Sequence, residues 1–178
     1  MEQMTAERAG RIVGAMSGRG VVVFGDVMLD EFVWGDVTRI SPEAPVPVVE
    51  IRRESAHLGG AANVLSNLRA LGARASLVGV VGQDRAGERV RAELRESGSP
   101  DAEESVIVDV SRPTTVKTRI IAHSQLVVRA DRERRAGIDG TIEERVVATL
   151  RRLLRNADAL VVSDYDKGAV TPAALDEV

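Results

Sequence analysis

Gly59-Gly60-Ala61-Ala62-Asn63 is the stretch of the 178-residue sequence on which both the fold and the candidate site depend. Two adjacent glycines allow backbone conformations and close approaches that a Cβ atom would block. Leucines recur at helical spacing after Ala62, so the stretch predicts a tight turn that leads directly into a helix. The unpaired amides of that first turn can face a polar or anionic ligand, and Asn63 can both donate and accept hydrogen bonds. A purely structural turn is the alternative interpretation.

Strands and helices alternate along most of the chain. Short apolar, mostly β-branched runs at 21–24, 75–81, 106–110 and 159–163 are typical of strands buried in a parallel sheet. Apolar residues at helical spacing lie between these runs, and the candidate N-caps are Thr5, Asp139 or Thr141, and Thr171. The alternation predicts an α/β fold with a mostly parallel sheet flanked by helices.

Two segments, within about 32–53 and 115–131, do not fit this alternation. Both are rich in β-forming residues, and the second divides into two runs joined by residues 123–125. Pro45 and Pro47 are two residues apart, so their missing N–H groups lie on one edge and favour an edge strand of a small separate sheet. We expect this sheet to form a flap over the main sheet, where it would exclude water from a reactive site.

Polar residues follow the first and last predicted strands at their carboxyl ends, where open α/β sheets bind ligands. Asp26 and Asp30 follow the first strand, and the segment 164–168 follows the last. For Asp26 we favour the role of a turn cap. Asp30 is well suited to accept hydrogen bonds from sugar hydroxyls.

Composition excludes several functional classes. The net charge is −3, from 24 basic and 27 acidic residues, so the chain lacks the basic excess expected of a nucleic-acid-binding protein. Without cysteine it has no disulfide scaffold, thiolate nucleophile or cysteine zinc site. We find no apolar run long enough to span a bilayer and no signal-peptide apolar region, and therefore expect a cytoplasmic protein without a membrane partner. Lys117 and Lys167 are the only lysines, which singles them out because lysine and arginine are not interchangeable.

Together these residues resemble the ribokinase-like (PfkB-type) family of carbohydrate kinases. The family's first signature is similar to the stretch 59–63 followed by Gly72 and Gly82, with Leu65 where a small residue is usual. Within the family, the chain most resembles the D-glycero-β-D-manno-heptose-7-phosphate kinases, through residues 25–30, 39–48 and 163–169. The resemblance covers nearly everything from Val21 onward.

The resemblance implies a ribokinase-like fold and transfer of the ATP γ-phosphate to the anomeric hydroxyl of the heptose 7-phosphate, a step toward lipopolysaccharide core precursors. It implies that Asp30, Gly60 and Asn63 hold sugar hydroxyls, and that the flap is both a lid and a homodimer contact. The other candidate substrate-binding residues, several of them partners for a phosphate, are Gly59, Lys117, Arg119, Arg129, Asp164 and Lys167. Solvated surface charge is the alternative role for the flap arginines.

The family's catalytic base is an aspartate in a Gly-Ala-Gly-Asp segment, and its ATP site is built from a C-terminal half. Neither segment occurs in this sequence. We therefore expect residues 1–178 to be the sugar-binding, N-terminal part of a kinase domain that is inactive alone, with ATP and Mg²⁺ bound by the intact enzyme. No catalytic residue and no metal ligand is assigned within this chain.

Three alternatives stay open. Another PfkB-type sugar kinase would differ only in its substrate. A nucleotide-binding oxidoreductase would share the glycines and the α/β pattern, but no Gly-x-Gly-x-x-Gly follows a predicted strand. A non-catalytic sugar-binding module is the third.

Overall fold

The structure is a computed structural model that describes residues 4–99 and 102–178. Its helices are α1 (Ala6–Met16), α2 (Ala61–Ala70), α3 (Arg85–Glu96), α4 (Ala102–Ser105), α5 (Gly140–Leu154) and α6 (Pro172–Asp176). Its strands are β1 (Gly20–Gly25), β2 (Val27–Ile40), β3 (Pro47–Gly60), β4 (Arg74–Gly82), β5 (Val106–Asp109), β6 (Thr115–Ala122), β7 (Gln125–Arg132) and β8 (Ala159–Ser163). Within the described residues no helix combines the length and apolarity needed to cross a membrane.

The main sheet has the strand order β5-β4-β1-β8, and all its pairings are parallel. Every residue of the central strand β1 is buried. Val21 and Val23 belong to a core that includes residues of α2 and α3, whereas Val22 and Phe24 belong to a second core with residues of α5. The expected α/β fold, with a mostly parallel sheet flanked by helices, is confirmed.

The second sheet has the order β3-β2-β6-β7 and contains the two segments expected to form a flap. We call these four strands the lid. Strand β3 is an edge strand, as the spacing of Pro45 and Pro47 predicts. Strands β2 and β3 are longer than the sequence suggests, because their pairing continues without a register shift from Trp34 and Arg53 back to Val27 and Gly60. Strands β2 and β3 therefore run without interruption from the protein core into the lid.

The diglycine stretch lies where β3 ends and α2 begins. Gly60 is the N-cap of α2 and has a φ of 56°, a conformation that favours glycine. A Cβ atom on Gly60 would also collide with the carbonyl oxygen of Asp26. That same oxygen accepts a hydrogen bond from the Ala61 amide at 2.9 Å. The predicted helix start is correct, and the turn before it is reduced to Gly60 itself.

Local capping signals in the sequence identified three further helix starts. The side chains of Thr5, Asp139 and Thr171 accept hydrogen bonds from backbone amides three residues further on. Between the two residues proposed to begin α5, Asp139 rather than Thr141 is the cap. Each cap satisfies an amide that has no partner within its own helix.

Candidate functional site

Asp30 and Gly59 are neighbours at the root of the lid. Met28 pairs with Gly59 across β2 and β3, and Asp30 is two residues further along β2. A Cβ atom on Gly59 would collide with the carboxylate of Asp30. The missing side chain of Gly59 is therefore what allows the Asp30 carboxylate to lie against the β3 backbone.

Arg119 on β6 lies beside the same carboxylate. Its Nη1 is 2.5 Å from Oδ1 of Asp30, and the two side chains keep 27% and 23% of their surface exposed. The pair joins two predicted site residues that are 89 positions apart in the sequence. A charge-assisted hydrogen bond at a partly exposed place leaves both groups accessible to a ligand that can compete for them.

Asn63 lies in the first turn of α2, three residues after Gly60, and is exposed. No side chain caps this helix end, since the N-cap is a glycine. The Ala61 amide is bonded to the Asp26 carbonyl. The diglycine thus joins the end of β3, beside the Asp30–Arg119 pair, to the start of α2. Asn63 is the exposed polar side chain of the first turn of that helix.

Lys117 and Arg129, the other predicted lid cations, differ in their surroundings. Arg129 donates from Nε and Nη2 to the two oxygens of Asp131, at 2.9 and 3.0 Å. Lys117 is in register with Asp30 on one side and with Asp131 on the other. Among the described carboxylates, none lies within ion-pair distance of the Lys117 ammonium. Lys117 is therefore the lid lysine with charge to offer a ligand.

Lys167 is held by an acidic partner that the sequence did not suggest. Its Nζ lies 3.1 Å from the carboxylate of Glu133, and the side chains are 10% and 15% exposed. Hydrogen bonds from Arg135 and then from Lys167 keep the pKa of Glu133 below its usual range. Because Glu133 directly follows β7, this ion pair links the segment that leaves the lid to the loop that follows β8.

Asp164, the remaining predicted residue, is exposed in the same loop, and its carboxylate accepts a hydrogen bond from the Asp166 amide at 2.8 Å. The shape of this loop depends on Asp26. The buried Asp26 carboxylate accepts hydrogen bonds from the amides of Tyr165, Lys167 and Ala169 at 2.8, 3.1 and 3.1 Å. Asp26 therefore caps a loop, as expected, but the loop that it caps is about 140 residues further along the chain.

A second, partly buried network, which sequence reasoning missed, positions the segment that leads into β6. The Asp84 carboxylate accepts hydrogen bonds from the Thr114 amide and hydroxyl and from the Gly87 amide, at 2.7 to 2.9 Å. Burial opposes ionisation of Asp84, but the hydrogen bonds from Thr114 and Gly87 outweigh it, so its pKa is lowered. Asp84 is the N-cap of α3 but was not among the N-caps predicted from the sequence, and its bonds to Thr114 have no local sequence signal.

Aromatic side chains line the lid face that carries Asp30. The rings of Phe32 and Trp34 are stacked with centroids 5.4 Å apart. The Arg119 guanidinium lies 5.2 Å from the Phe32 centroid, and that of Arg53 lies 3.9 Å from the Trp34 centroid. His57 meets Phe32 edge-on at 5.8 Å. The sequence marked Phe32 and Trp34 only as strand formers and did not point to Arg53 or His57.

A cavity of about 630 Å³ lies on the opposite face of the lid, between Leu29, Glu31 and Thr118 on one side and Arg85 and Arg89 of α3 on the other. None of the predicted site residues lines it. Across residues 4–99 and 102–178, no three histidine, aspartate or glutamate side chains are grouped to hold a metal ion. The candidate site is therefore the surface around Asp30, Arg119 and Gly59 at the root of the lid, next to the start of α2.

Comparison with known proteins gives a family match over most of the chain. The model of the pfkB family carbohydrate kinases matches residues 19–177. The chain is 50% identical over 161 residues to the Bifunctional protein HldE of Caulobacter sp. (strain K31), covering 90% of this chain and 32% of that protein. It is 47% identical over 167 residues to the protein of the same name from Bradyrhizobium sp. (strain ORS 278), covering 92% and 34%. The chain thus spans about a third of the length of these relatives.

Solved structures with low sequence identity share the fold. A carbohydrate kinase from Agrobacterium tumefaciens matches with a TM-score of 0.60 at 22% identity, over 81% of this chain and 45% of that chain. The ribokinase from Giardia lamblia matches with a TM-score of 0.60 at 19% identity, over 88% and 47%. The expected ribokinase-like fold is confirmed by these similarities.

Proposed function

The chain belongs to the pfkB family of carbohydrate kinases, and from this we propose that it is the sugar-binding part of an ATP-dependent kinase. The proposed reaction transfers the γ-phosphate of ATP to the anomeric hydroxyl of D-glycero-β-D-manno-heptose 7-phosphate. The observation that carries this proposal is the Asp30–Arg119 pair, packed against Gly59 beside the start of α2.

Each part of the lid root suits a polyhydroxylated ligand. The Asp30 carboxylate can accept hydrogen bonds from two neighbouring hydroxyls, and the Asn63 amide can donate and accept at once. Gly59 and Gly60 present bare backbone, so a sugar ring can approach closely there. In phosphoryl transfer the protein mainly positions the reactants, and that is the role we assign to these residues.

The phosphate that the sugar already carries requires cations, and the lid provides them. Lys117 has no ion-pair partner among the described carboxylates, and Arg119 can exchange Asp30 for a substrate oxygen. Arg129 and Lys167 are bonded to Asp131 and Glu133, so a role in phosphate binding would require those bonds to be exchanged. Of these four cations, Lys117 is therefore the one that can bind a substrate oxygen without giving up a carboxylate partner, and Arg119, beside it at the lid root, is the next candidate.

Heptose 7-phosphate is preferred over other sugars because of the resemblance of segments 25–30, 39–48 and 163–169. The relatives named HldE, at 47% and 50% identity, support this choice. Another PfkB-type sugar kinase is the alternative. A panel of phosphorylated and unphosphorylated sugars, tested for binding to this chain, discriminates the two.

ATP would supply the phosphoryl group in the intact enzyme. Among the described residues no three histidine, aspartate or glutamate side chains are grouped to hold a metal ion, and we derive no step through the metal. The sequence contains no Gly-Ala-Gly-Asp segment, and we expect the 178-residue chain alone to bind the sugar phosphate without turning it over. What its residues contribute is binding, orientation and, through the lid, exclusion of water.

We also propose that the lid mediates a homodimer. All of β7 is exposed at an open edge of the lid, including Leu126 at 59% and Val128 at 49%. Unpaired edge strands with apolar side chains favour pairing with another chain. Cytoplasmic location, and the absence of nucleic-acid and membrane partners, stay predictions.

Isothermal titration calorimetry, which measures the affinity of the chain for heptose 7-phosphate, tests the proposal directly. We expect Asp30→Asn to weaken binding at least tenfold, because it removes one charged hydrogen-bond acceptor at the sugar. Asp36→Asn is the matched control: Asp36 is on the same strand but is bonded to Arg52 away from the lid root. No binding to the unaltered chain, or clear turnover when ATP and Mg²⁺ are added to it, would contradict the proposal.

A further inference from the structure

Phe32, Trp34 and Arg53 form a row on the lid that begins at Asp30. Asp30, Phe32 and Trp34 alternate along β2 and thus share one face, and the register pairs Trp34 with Arg53 on β3. The stacked rings and the guanidinium above Trp34 confirm that this is the face on which Asp30 meets Arg119. A ligand held at Asp30 can therefore extend along this row toward the end of the lid.

Charge distinguishes Arg53 from the other arginines on this face. Arg119 is paired with Asp30 and Arg129 with Asp131, both within 3.0 Å. The neighbouring Arg52 is paired with Asp36 and Glu50. Of the carboxylates that the structure describes, none lies within 4 Å of the Arg53 guanidinium, and the side chain is exposed. Arg53 therefore carries an uncompensated positive charge on the same face as the candidate site.

The aromatic pair fixes the position of that charge. A guanidinium 3.9 Å from an indole centroid is held by a cation–π interaction, which restricts a side chain that otherwise has many rotamers. Such preorganisation lowers the entropic cost of binding an anion. Phe32 and Trp34 are only partly buried, so their outer surfaces are available to the apolar side of a ligand.

We propose that Arg53, positioned by Trp34, binds the phosphate that the sugar substrate already carries, while Lys117 and Arg119 at the lid root contact the reacting end of the sugar, and that Arg53 makes the site select phosphorylated over unphosphorylated sugars. This inference rests on the proposed sugar-kinase function and adds a specificity residue to it. Asp30 and Trp34 are four residues apart, which is about 13 Å along a strand. A sugar with its reacting end at the lid root thus crosses Phe32 and directs its phosphate toward Arg53.

Trp34 itself provides the assay, because it is the single tryptophan of the chain. Its fluorescence is followed while the chain is titrated with heptose 7-phosphate and, separately, with the same heptose lacking the phosphate. Titration calorimetry gives both affinities independently of the fluorophore. The variants are Arg53→Gln, which keeps the length but removes the charge, and Arg53→Lys, which keeps the charge but not the planar fork. Arg52→Gln is the matched control.

We expect Arg53→Gln to weaken binding of heptose 7-phosphate about tenfold or more while leaving the affinity for unphosphorylated heptose unchanged. Arg53→Lys should fall between Arg53→Gln and the unaltered chain. Arg52→Gln should stay within twofold, since exposed ion pairs contribute little. Melting curves verify that each variant is folded, and the exposed position of Arg53 predicts that all are.

Three results would overturn the inference in different ways. If Asp30→Asn weakens binding but Arg53→Gln behaves like Arg52→Gln, the specificity role is wrong and the sugar-kinase proposal stands. If the unaltered chain binds neither sugar, the proposed function fails and this inference fails with it. A changed oligomeric state of Arg53→Gln in light scattering, without a change in phosphate selectivity, would identify the row as a subunit contact instead and would also refute the inference.

Discussion

Replacing Asp26 tests the most concentrated set of buried polar contacts near the candidate site. Asp26 as a whole is 2% exposed, and its carboxylate accepts three backbone hydrogen bonds, two at Oδ2 and one at Oδ1. The donors are the amides of Tyr165, Lys167 and Ala169, so one side chain determines the course of the loop after β8. Asp26→Ala removes all three acceptors, whereas Asp26→Asn places an NH₂ group where one oxygen was.

The expected loss in the free energy of unfolding follows from these hydrogen bonds. A buried donor left without an acceptor costs about 1 to 3 kcal/mol, so three donors would cost about 3 to 9 kcal/mol if all stayed dry. Tyr165 and Asp166 are exposed, which lets water reach part of the loop. We therefore expect Asp26→Ala to lower the free energy of unfolding by about 3 to 4 kcal/mol. Asp26→Asn, which can keep the two bonds at one oxygen, should lose about 1 to 2 kcal/mol.

Urea unfolding measures these differences, with Asp176→Ala on the exposed end of α6 as a control expected to change stability by less than about 0.5 kcal/mol. Hydrogen exchange provides the local measurement. The amides of residues 165, 167 and 169 should lose protection in Asp26→Ala before the core strands do. A loss below about 1 kcal/mol, or unchanged protection of the three amides, would refute the reasoning.

Two further predictions concern the lid and its support. Ser124→Gly should raise the free energy of unfolding by up to about 1 kcal/mol in urea unfolding, because Ser124 has a φ of 63° in the two-residue connection between β6 and β7, where glycine is favoured; a loss of stability would contradict this. Because the folded pKa of Asp84 is lowered, its contribution is fully present above the ordinary aspartate pKa of about 3.9 and is lost as the pH falls through the lower folded value. Unfolding free energies measured from pH 6 to pH 2.5 should therefore decline less steeply for Asp84→Asn, and equal slopes would show that Asp84 is not involved.

The elements of the main sheet could be predicted because their signals are local. A buried parallel strand is a short apolar run, and a capped helix start is a polar side chain within three residues of the amide it bonds. Thr5, Asp139 and Thr171 all meet that condition. The edge position of β3 follows in the same way from two prolines.

The inner ends of β2 and β3 could not be predicted by the same means. Residues 52–57 of β3 are mostly polar and exposed, so no alternation of apolar residues marks them as a strand. Pairing with β2 is what orders them, because each backbone satisfies the other's hydrogen bonds. The continuity of β2 and β3 between the lid and the core therefore could not be predicted from the sequence of either strand alone.

Contacts across long sequence separations were also outside the reach of the sequence. Asp30 was proposed as a hydroxyl acceptor and Arg119 as a phosphate ligand, but their mutual contact spans 89 positions. Lys167 was singled out as a rare lysine, whereas its partner Glu133 carried no signal of its own. Residue chemistry indicates what a side chain can do, and only the fold decides which partner it meets.

The diglycine stretch has a structural explanation that does not depend on any ligand. Gly60 is required by its backbone conformation and by the Asp26 carbonyl, and Gly59 is required by the Asp30 carboxylate that lies against it. Gly59→Ala would therefore displace Asp30 and disturb the fold together with the site, so a loss of binding in that variant would not identify a function. The Asp30–Arg119 pair differs, because its side chains are partly exposed and its removal leaves the backbone in place. Asp30→Asn should keep the free energy of unfolding, measured in urea, within about 1 kcal/mol of that of the unaltered chain while it weakens sugar binding. That separation of stability from binding is the evidence that the lid root is a binding site.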